Sequence, residues 1–206
     1  MSDPWLSIIG LGEDGLSGLS DASRSALDEA DLIFGGPRHL DLVKAGDRGR
    51  PWPVPFSIDR VLQSRGNQVA VLASGDPFWH GAGGSLAAHL QPGEWVSYPV
   101  PSTFALVANH MAWRIEDTLC LGLHAAPFER LLTVLAPNTQ LICTLRDGAA
   151  PAELATWLTQ QGFGESQIAV MERLGGPNQR VRSARADAFD LDNVQAPVAV
   201  ALAAMG

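Results

Sequence analysis

The sequence predicts an α/β protein of two domains, the first built on a mostly parallel sheet and the second on a mixed one. Three observations carry this. Through the first half, short apolar runs alternate with helix-like segments, the pattern of strands wound in parallel. These runs stop in loops of Gly, Pro, Ser and Thr (Gly10–Gly15, Ser74–Pro77, Pro99–Thr103), which places the loops along one sheet edge. The second half closes with two short runs around Gly175-Gly176-Pro177-Asn178 and then a last apolar run, a sign of antiparallel pairing. A boundary within Met111–Asp117 gives domains at residues 1–113 and 114–206.

In chain order, Trp5 to Ile9 reads as a strand, and Ser20 caps a helix over Asp21 to Ala30. Leu32-Ile33-Phe34 is a second strand, followed by Gly35-Gly36-Pro37 and a short helix from Arg38 to Val43. A proline-rich connection, Arg50 to Phe56, leads to Ser57, which caps a helix from Ile58 to about Arg65. Val69 to Ala73 has the composition of a buried strand, and Ser85 to Leu90 that of a helix. Trp95 to Val100 is a strand, and Ser102 or Thr103 caps an apolar helix from Phe104 to Met111. Beyond it, strands are expected at Leu119–Leu123, Gln140–Leu145, Ile168–Met171, Val181–Ala184 and Pro197–Ala203. Helices are expected at Ala126–Leu135, with Pro127 in its first turn, and at Pro151–Gln161, closed by Gly162.

Composition narrows the function classes. Hydrophobic content of 46% and charged content of 17% over 206 residues describe a chain that buries a core. A net charge of −8 argues against a nucleic-acid surface, which relies on clustered basic residues. It leaves room for an anionic small molecule held by a local basic patch. Cys120 and Cys143 sit in apolar runs without CxxC spacing, and the five histidines form no HxxxH or HExxH pair. No metal site is therefore expected. No secretory signal is seen at Met1 to Pro4 and no apolar run reaches membrane-spanning length, so the chain is expected to be cytoplasmic.

Two loops attract attention. Gly10-Leu11-Gly12-Glu13-Asp14-Gly15 matches the G-x-G-x-x-G dinucleotide pattern. Its context fails, because Leu16–Leu19 intervene before the helix and the second strand ends in Gly-Gly-Pro where an acidic residue is needed. The stronger candidate is Val69–Gly84, a strand that breaks at Ser74-Gly75-Asp76-Pro77 and runs through Phe78, Trp79 and His80 into a glycine-rich helix start. A loop at the carboxyl end of a central strand is where α/β sheets bind ligands. Asp76 reads either as a turn-stabilising acceptor before proline or as a ligand's hydrogen-bond partner.

Four patches in order resemble the tetrapyrrole methyltransferase family: Gly10–Gly15, Ala73–Phe78, Pro99–Thr103, and Arg146-Asp147-Gly148 with Glu172-Arg173-Leu174-Gly175. Phe34-Gly35-Gly36-Pro37-Arg38-His39-Leu40 and Leu121-Gly122-Leu123-His124 resemble its precorrin-6Y C5,15-methyltransferase group. The resemblance implies two α/β domains with S-adenosylmethionine in a cleft between them, S-adenosylhomocysteine as product, and a homodimer. By motif position it implies Ser74, Gly75, Asp76, Trp79, Ser102, Thr103, Leu145 and Leu174 as cofactor contacts. Gly12, Glu13, Arg38, His80, His124 and Arg146 are implied on the side of a precorrin substrate. The first glycine loop departs from the usual G-x-G-P-G-D by carrying Glu13-Asp14-Gly15.

A sulfonium donor is already activated, so methyl transfer to carbon demands alignment more than a triad or a metal. Precorrins are polycarboxylates, for which Arg38, Arg114, Arg146, Arg173, Arg180 and Arg182 are candidate holders, while Trp52, Phe78 and Trp79 suit a flat macrocycle. Asp76 and His124 are the candidates for a catalytic group, and His80 and His124 for carrying a proton. The expected reaction is C5 methylation on the route to cobalamin. Two alternatives stand beside it: the same fold acting on another tetrapyrrole, diphthine or ribosomal RNA, or a nonenzymatic binding module. The group also contains chains with a further C15-methylating, decarboxylating domain, a candidate partner.

Overall fold

The computed structural model describes residues 4–206; Met1–Asp3, part of the stretch on which the expectation about a secretory signal rests, lie outside them. Two compact units divide the chain, Met1–Ser102 and Thr103–Gly206.

The first unit is a five-stranded, all-parallel sheet. Its strands are β1 (Leu6–Leu11), β2 (Leu32–Gly35), β3 (Gly49–Pro51), β4 (Val69–Ser74) and β5 (Trp95–Tyr98), in the order β3-β2-β4-β1-β5. Alternate residues of the central strands feed two separate cores, as burial on both faces requires. Leu6, Ile8, Val69 and Val71 pack with Ile58, Val61, Leu86 and Leu90 on one face. Ile9, Leu11, Ala70 and Leu72 pack with Leu27, Ala30 and Val43 on the other. Helices α1 (Asp21–Asp28) and α2 (Pro37–Leu42) thus cover one face, and α3 (Asp59–Leu62) and α4 (Gly83–Ala87) the opposite one.

The second unit holds a mixed sheet of β6 (Leu119–Gly122), β7 (Gln140–Leu145), β8 (Gln167–Glu172), β9 (Arg180–Arg185) and β10 (Val198–Ala203). The order is β6-β7-β10-β8-β9, with only the β6–β7 pair parallel. Helix α5 (Thr103–Met111) lays Phe104, Val107 and Ala108 on Ile142, Ala169, Met171, Ala199 and Ala201. Helix α6 (Ala150–Gln160) covers the other face through Leu154 and Leu158. The apolar face of α5 therefore commits it to the second unit, whereas the change of sequence style had suggested a boundary after it.

Most expected elements are present. Ser20 caps α1 by accepting from the Ser23 amide at 3.2 Å. Helices α1 and α4 are slightly shorter than expected, and two segments depart further: α3 has a single turn, and Phe128–Thr133 forms a 3-10 helix where an α-helix was expected. Strand β3 was not anticipated, since two of its three residues are Gly and Pro.

Candidate active site

In the first unit the chain leaves β1 toward β2 across one face of the sheet and leaves β4 toward β5 across the other. The connections diverge between the carboxyl ends of neighbouring β1 and β4, the switch point where open α/β sheets take ligands. Leu11 and Ser74 pair there in register. A Cβ on Gly10 would lie 2.0 Å from the Gly75 carbonyl oxygen and 2.9 Å from the Val100 nitrogen. The absent side chain lets three strand ends touch: the Gly75 amide donates to the Leu11 carbonyl at 3.1 Å, and the Val100 amide to the Gly75 carbonyl at 3.3 Å. Gly75 adopts φ +59°, and a Cβ on it would lie 2.6 Å from the Cα of Ser102. Gly75 and Ser102 are thus packed against each other, Ser102 being 8% exposed.

Asp76 is fixed locally. Its Oδ1 accepts from the Phe78 amide at 2.8 Å, and its carbonyl accepts from the Trp79 amide at 3.1 Å, an Asx turn. The turn sets Phe78 and Trp79 outward, 48% and 39% exposed, with the Phe78 ring 5.5 Å from that of Trp95.

Four polar side chains meet at the same edge. The loop after β1 supplies Glu13, the start of α2 supplies Arg38 and His39, and the end of β4 supplies Ser74. Arg38 donates to the Glu13 carboxylate and, through Nη2, to the Ser74 hydroxyl at 3.1 Å. The same Nη2 lies 2.9 Å from His39 Nε2, which is 2.9 Å from the Ser74 hydroxyl. An arginine only donates, so Nε2 accepts and the imidazole proton sits on Nδ1. Burial, and then the Arg38 charge, lower the His39 pKa to about 4, leaving the ring neutral near pH 7. Burial also lowers the pKa of Arg38. Sequence reasoning placed Glu13, Arg38 and Ser74 at a site but missed His39, whose signal was its place beside Arg38 in Gly35-Gly36-Pro37-Arg38-His39.

In the second unit the remaining expected residues share an edge of their own. Val198 pairs with both Leu145 and Glu172, and Gly122 with Thr144, so β6, β7 and β8 end at one edge of the sheet, with the start of β10 between β7 and β8. His124, Arg146 and Leu174 follow those ends. Leu145 is buried at 5% exposure, Leu174 packs on the core beneath α5, and His124 is exposed. Several arginines expected for carboxylates already meet protein carboxylates. Arg146 pairs with Asp147 at 2.7 Å and Glu153 at 3.2 Å, and Arg114 with Glu116 at 2.9 Å. Glu172, 1% exposed, takes a two-point contact from Arg180 (2.8 and 2.7 Å), one from Arg182 (3.0 Å), and the Gln195 amide (2.7 Å). Arg173 bonds the Ala196 carbonyl through Nε at 3.2 Å. Among the described residues no group of three or more His, Cys, Asp or Glu side chains could hold a metal. Both cysteines are free thiols; burial first, then neighbouring Cys120, pushes Cys143 up to about 12.

Comparison with known proteins gives these loops a context. Residues 6–190 match the model of the Tetrapyrrole (Corrin/Porphyrin) Methylases. The chain is 38% identical over 192 residues to a precorrin-6Y C(5,15)-methyltransferase [decarboxylating] of Sinorhizobium sp, covering 91% of this chain and 46% of that protein. It thus spans about half the length of that relative. It is 27% identical over 194 residues to the cobalt-precorrin-7 C(5)-methyltransferase of Salmonella typhimurium, covering 91% of this chain and 94% of that one. The crystal structure of a precorrin-6Y methylase from Archaeoglobus fulgidus shares the fold, with a TM-score of 0.68, 21% identity and 98% coverage of both chains. The chain belongs to the tetrapyrrole (corrin/porphyrin) methylases, a family of methyl-transferring enzymes.

Proposed function

We propose that this chain moves a methyl group from S-adenosylmethionine to carbon C5 of a precorrin in cobalamin biosynthesis. The observation that carries the reading is the switch-point edge of the first unit, where Ser74-Gly75-Asp76 meets Glu13, Arg38 and His39. A cationic sulfonium with a ribose and an amino acid tail needs hydroxyls, backbone groups and a carboxylate. Ser74, Gly75, Asp76 and Ser102 supply them, with Trp79, Thr103, Leu145 and Leu174 as further contacts. Bound there, the donor brings an activated methyl group, and the protein's task is alignment. Arg38 would receive a carboxylate of the macrocycle, as would Arg146, with Gly12, Glu13, His80 and His124 on the substrate side. Exposed Phe78 and Trp79 offer an aromatic face to a flat ring.

The choice of C5 is supported by the lengths of the relatives. The Salmonella protein, matched over 94% of its length, is named for C5 alone. The Sinorhizobium protein, matched over 46%, is named for C5, C15 and decarboxylation. On this reading C15 methylation and decarboxylation are assigned to a separate domain, the proposed partner of this one. We further propose a cytoplasmic homodimer, to be checked by sedimentation; among the described residues no helix is long and apolar enough to cross a membrane.

Titration calorimetry with S-adenosylmethionine and S-adenosylhomocysteine tests the donor, and binding of both is expected. A protein that binds neither is not this methyltransferase. Mass spectrometry of a precorrin incubated with the donor should show the gain of one methyl group without loss of carbon dioxide. Loss of carbon dioxide would refute the assignment of this chain to C5 alone.

A further inference from the structure

Methyl transfer to carbon, on the reading just given, leaves a charge to be removed. A neutral carbon nucleophile gives its π pair to the new C–C bond, and the pair of the broken C–S bond stays on sulfur. The methylated macrocycle then carries one positive charge, which is discharged only when a proton departs and its bonding pair returns to the ring. That proton needs a basic group in its unprotonated form, standing where the chemistry occurs.

His39 meets those conditions. It sits at the switch-point edge, with the Ser74 hydroxyl 2.9 Å from Nε2, and Ser74 opens the loop assigned to the methyl donor. Its ring is neutral with the lone pair on Nε2, the only form in which that atom can take a proton. The lone pair is nevertheless occupied, because Arg38 Nη2 lies 2.9 Å from it. His80, later in the loop that Ser74 opens, and His124, after β6, are both exposed.

We propose that His39 accepts the proton released by carbon methylation and that Arg38 holds it in reserve until a substrate carboxylate arrives. The groups facing the ring are Arg38 from α2, Ser74 from β4 and, through Arg38, Glu13 from the loop after β1. A carboxylate that draws the guanidinium toward itself removes a donor from Nε2 and adds a negative charge nearby. Both changes favour the imidazolium. The proton passes from the macrocycle to Nε2, the imidazolium is balanced by Glu13 and the incoming carboxylate, and the proton is lost to water when product leaves. Arg38 is then both the substrate's anchor and the latch on the base, so an empty site keeps an unreactive histidine.

Nitrogen-15 NMR of the imidazoles in the full chain tests the latch without turnover. In the free protein His39 should be the Nδ1–H tautomer and titrate well below the ordinary value. Arg38→Met, or saturation with uroporphyrin as a polycarboxylate probe, should raise its pKa by about one unit or more. An ordinary pKa in the free protein, or no movement in either experiment, overturns the latch. Kinetics test the base: His39→Gln should lower kcat about 100-fold or more, within the range for general-base catalysis, with KM and S-adenosylhomocysteine affinity little changed. His39→Asn guards against a folding defect in the first variant, and thermal melts should match the wild type. Turnover near wild type in both variants overturns the proton role. Wild-type binding of S-adenosylhomocysteine tests the methyl-transfer reading separately, so a failed His39 assignment leaves that reading standing.

Discussion

Gly10 is glycine because of what lies beside it. Its missing Cβ is the space occupied by the Gly75 carbonyl, so Gly10→Ala should part the ends of β1 and β4. A loss of about 3 kcal/mol, at the upper end for overpacking, is expected in denaturant melts, together with weaker donor binding. Asp76 poses a different question, because the Asx turn and a ligand contact use the same carboxylate. Asp76→Asn keeps an oxygen for the Phe78 amide but removes the charge. It should fold and melt like wild type while binding S-adenosylmethionine at least about tenfold more weakly, a charge-assisted bond's worth. Unchanged affinity would reduce Asp76 to a turn residue. His39 makes stability depend on pH. Its folded pKa lies below the unfolded value of about 6.5, so the unfolded chain binds the extra proton between these limits. Stability should fall as pH drops from about 6.5 toward 4, and His39→Gln should flatten that slope.

At the scale of elements, Glu172 ties the β8–β9 hairpin to the segment before β10. The register puts Arg180 directly opposite Glu172 and Arg182 opposite Val170, two residues along on the same strand face, so both guanidiniums reach one carboxylate. Burial raises the Glu172 pKa, but bonds from Arg180, the Gln195 amide and Arg182 outweigh it and the net shift is downward. A lowered carboxylate pKa stabilises above the unfolded value of about 4.3 and is lost as pH falls through the folded one. The hairpin should therefore loosen in acid below about pH 4, visible by hydrogen exchange. Glu172→Gln should lower stability at neutral pH in denaturant melts, because it removes the charge that holds Arg180 and one of the two carboxylates, with Asp192 at 3.8 Å, beside Arg182.

None of this tie was legible in the sequence, where Arg180 and Arg182 looked like holders for substrate carboxylates. Strands β1, β4, β7 and β10 were legible, because runs such as Val69-Ala70-Val71-Leu72-Ala73 are apolar on both faces. The glycine loops were legible too, since Gly and Pro close behind such a run end the strand and turn the chain. The meeting of Arg38, His39 and Ser74 was not. It joins residues 35 and 36 positions apart, brought together by the insertion of β4 between β1 and β2, and strand order leaves no local trace. The single turn of α3 and the 3-10 helix at Phe128–Thr133 were misjudged for a simpler reason. Short apolar segments have the same composition whether or not they complete an α-helix.

At the scale of the whole molecule, among the described residues two core clusters lie within Met1–Ser102 and two within Thr103–Gly206. The second unit therefore has both faces of its sheet covered by its own helices. Thr103–Gly206 expressed alone should give one cooperative thermal transition; a chain without one would show that these cores do not suffice. The net charge of −8 weighs against a nucleic-acid partner.

The position of β10 bears on how the protein is made. A ribosome delivers the first sheet complete once Tyr98 has emerged, since all five of its strands precede that point. The second sheet waits for Val198–Ala203, which arrive last and insert between β7 and β8. Until then β6–β7 and β8–β9 are separate ribbons, each with an unpaired edge of the kind that invites aggregation. The first unit, with its Glu13–Arg38–His39–Ser74 cluster, is thus free to form early in synthesis. The second is a late-closing structure, and its vulnerable interval runs from the completion of β7 at Leu145 to that of β10 at Ala203.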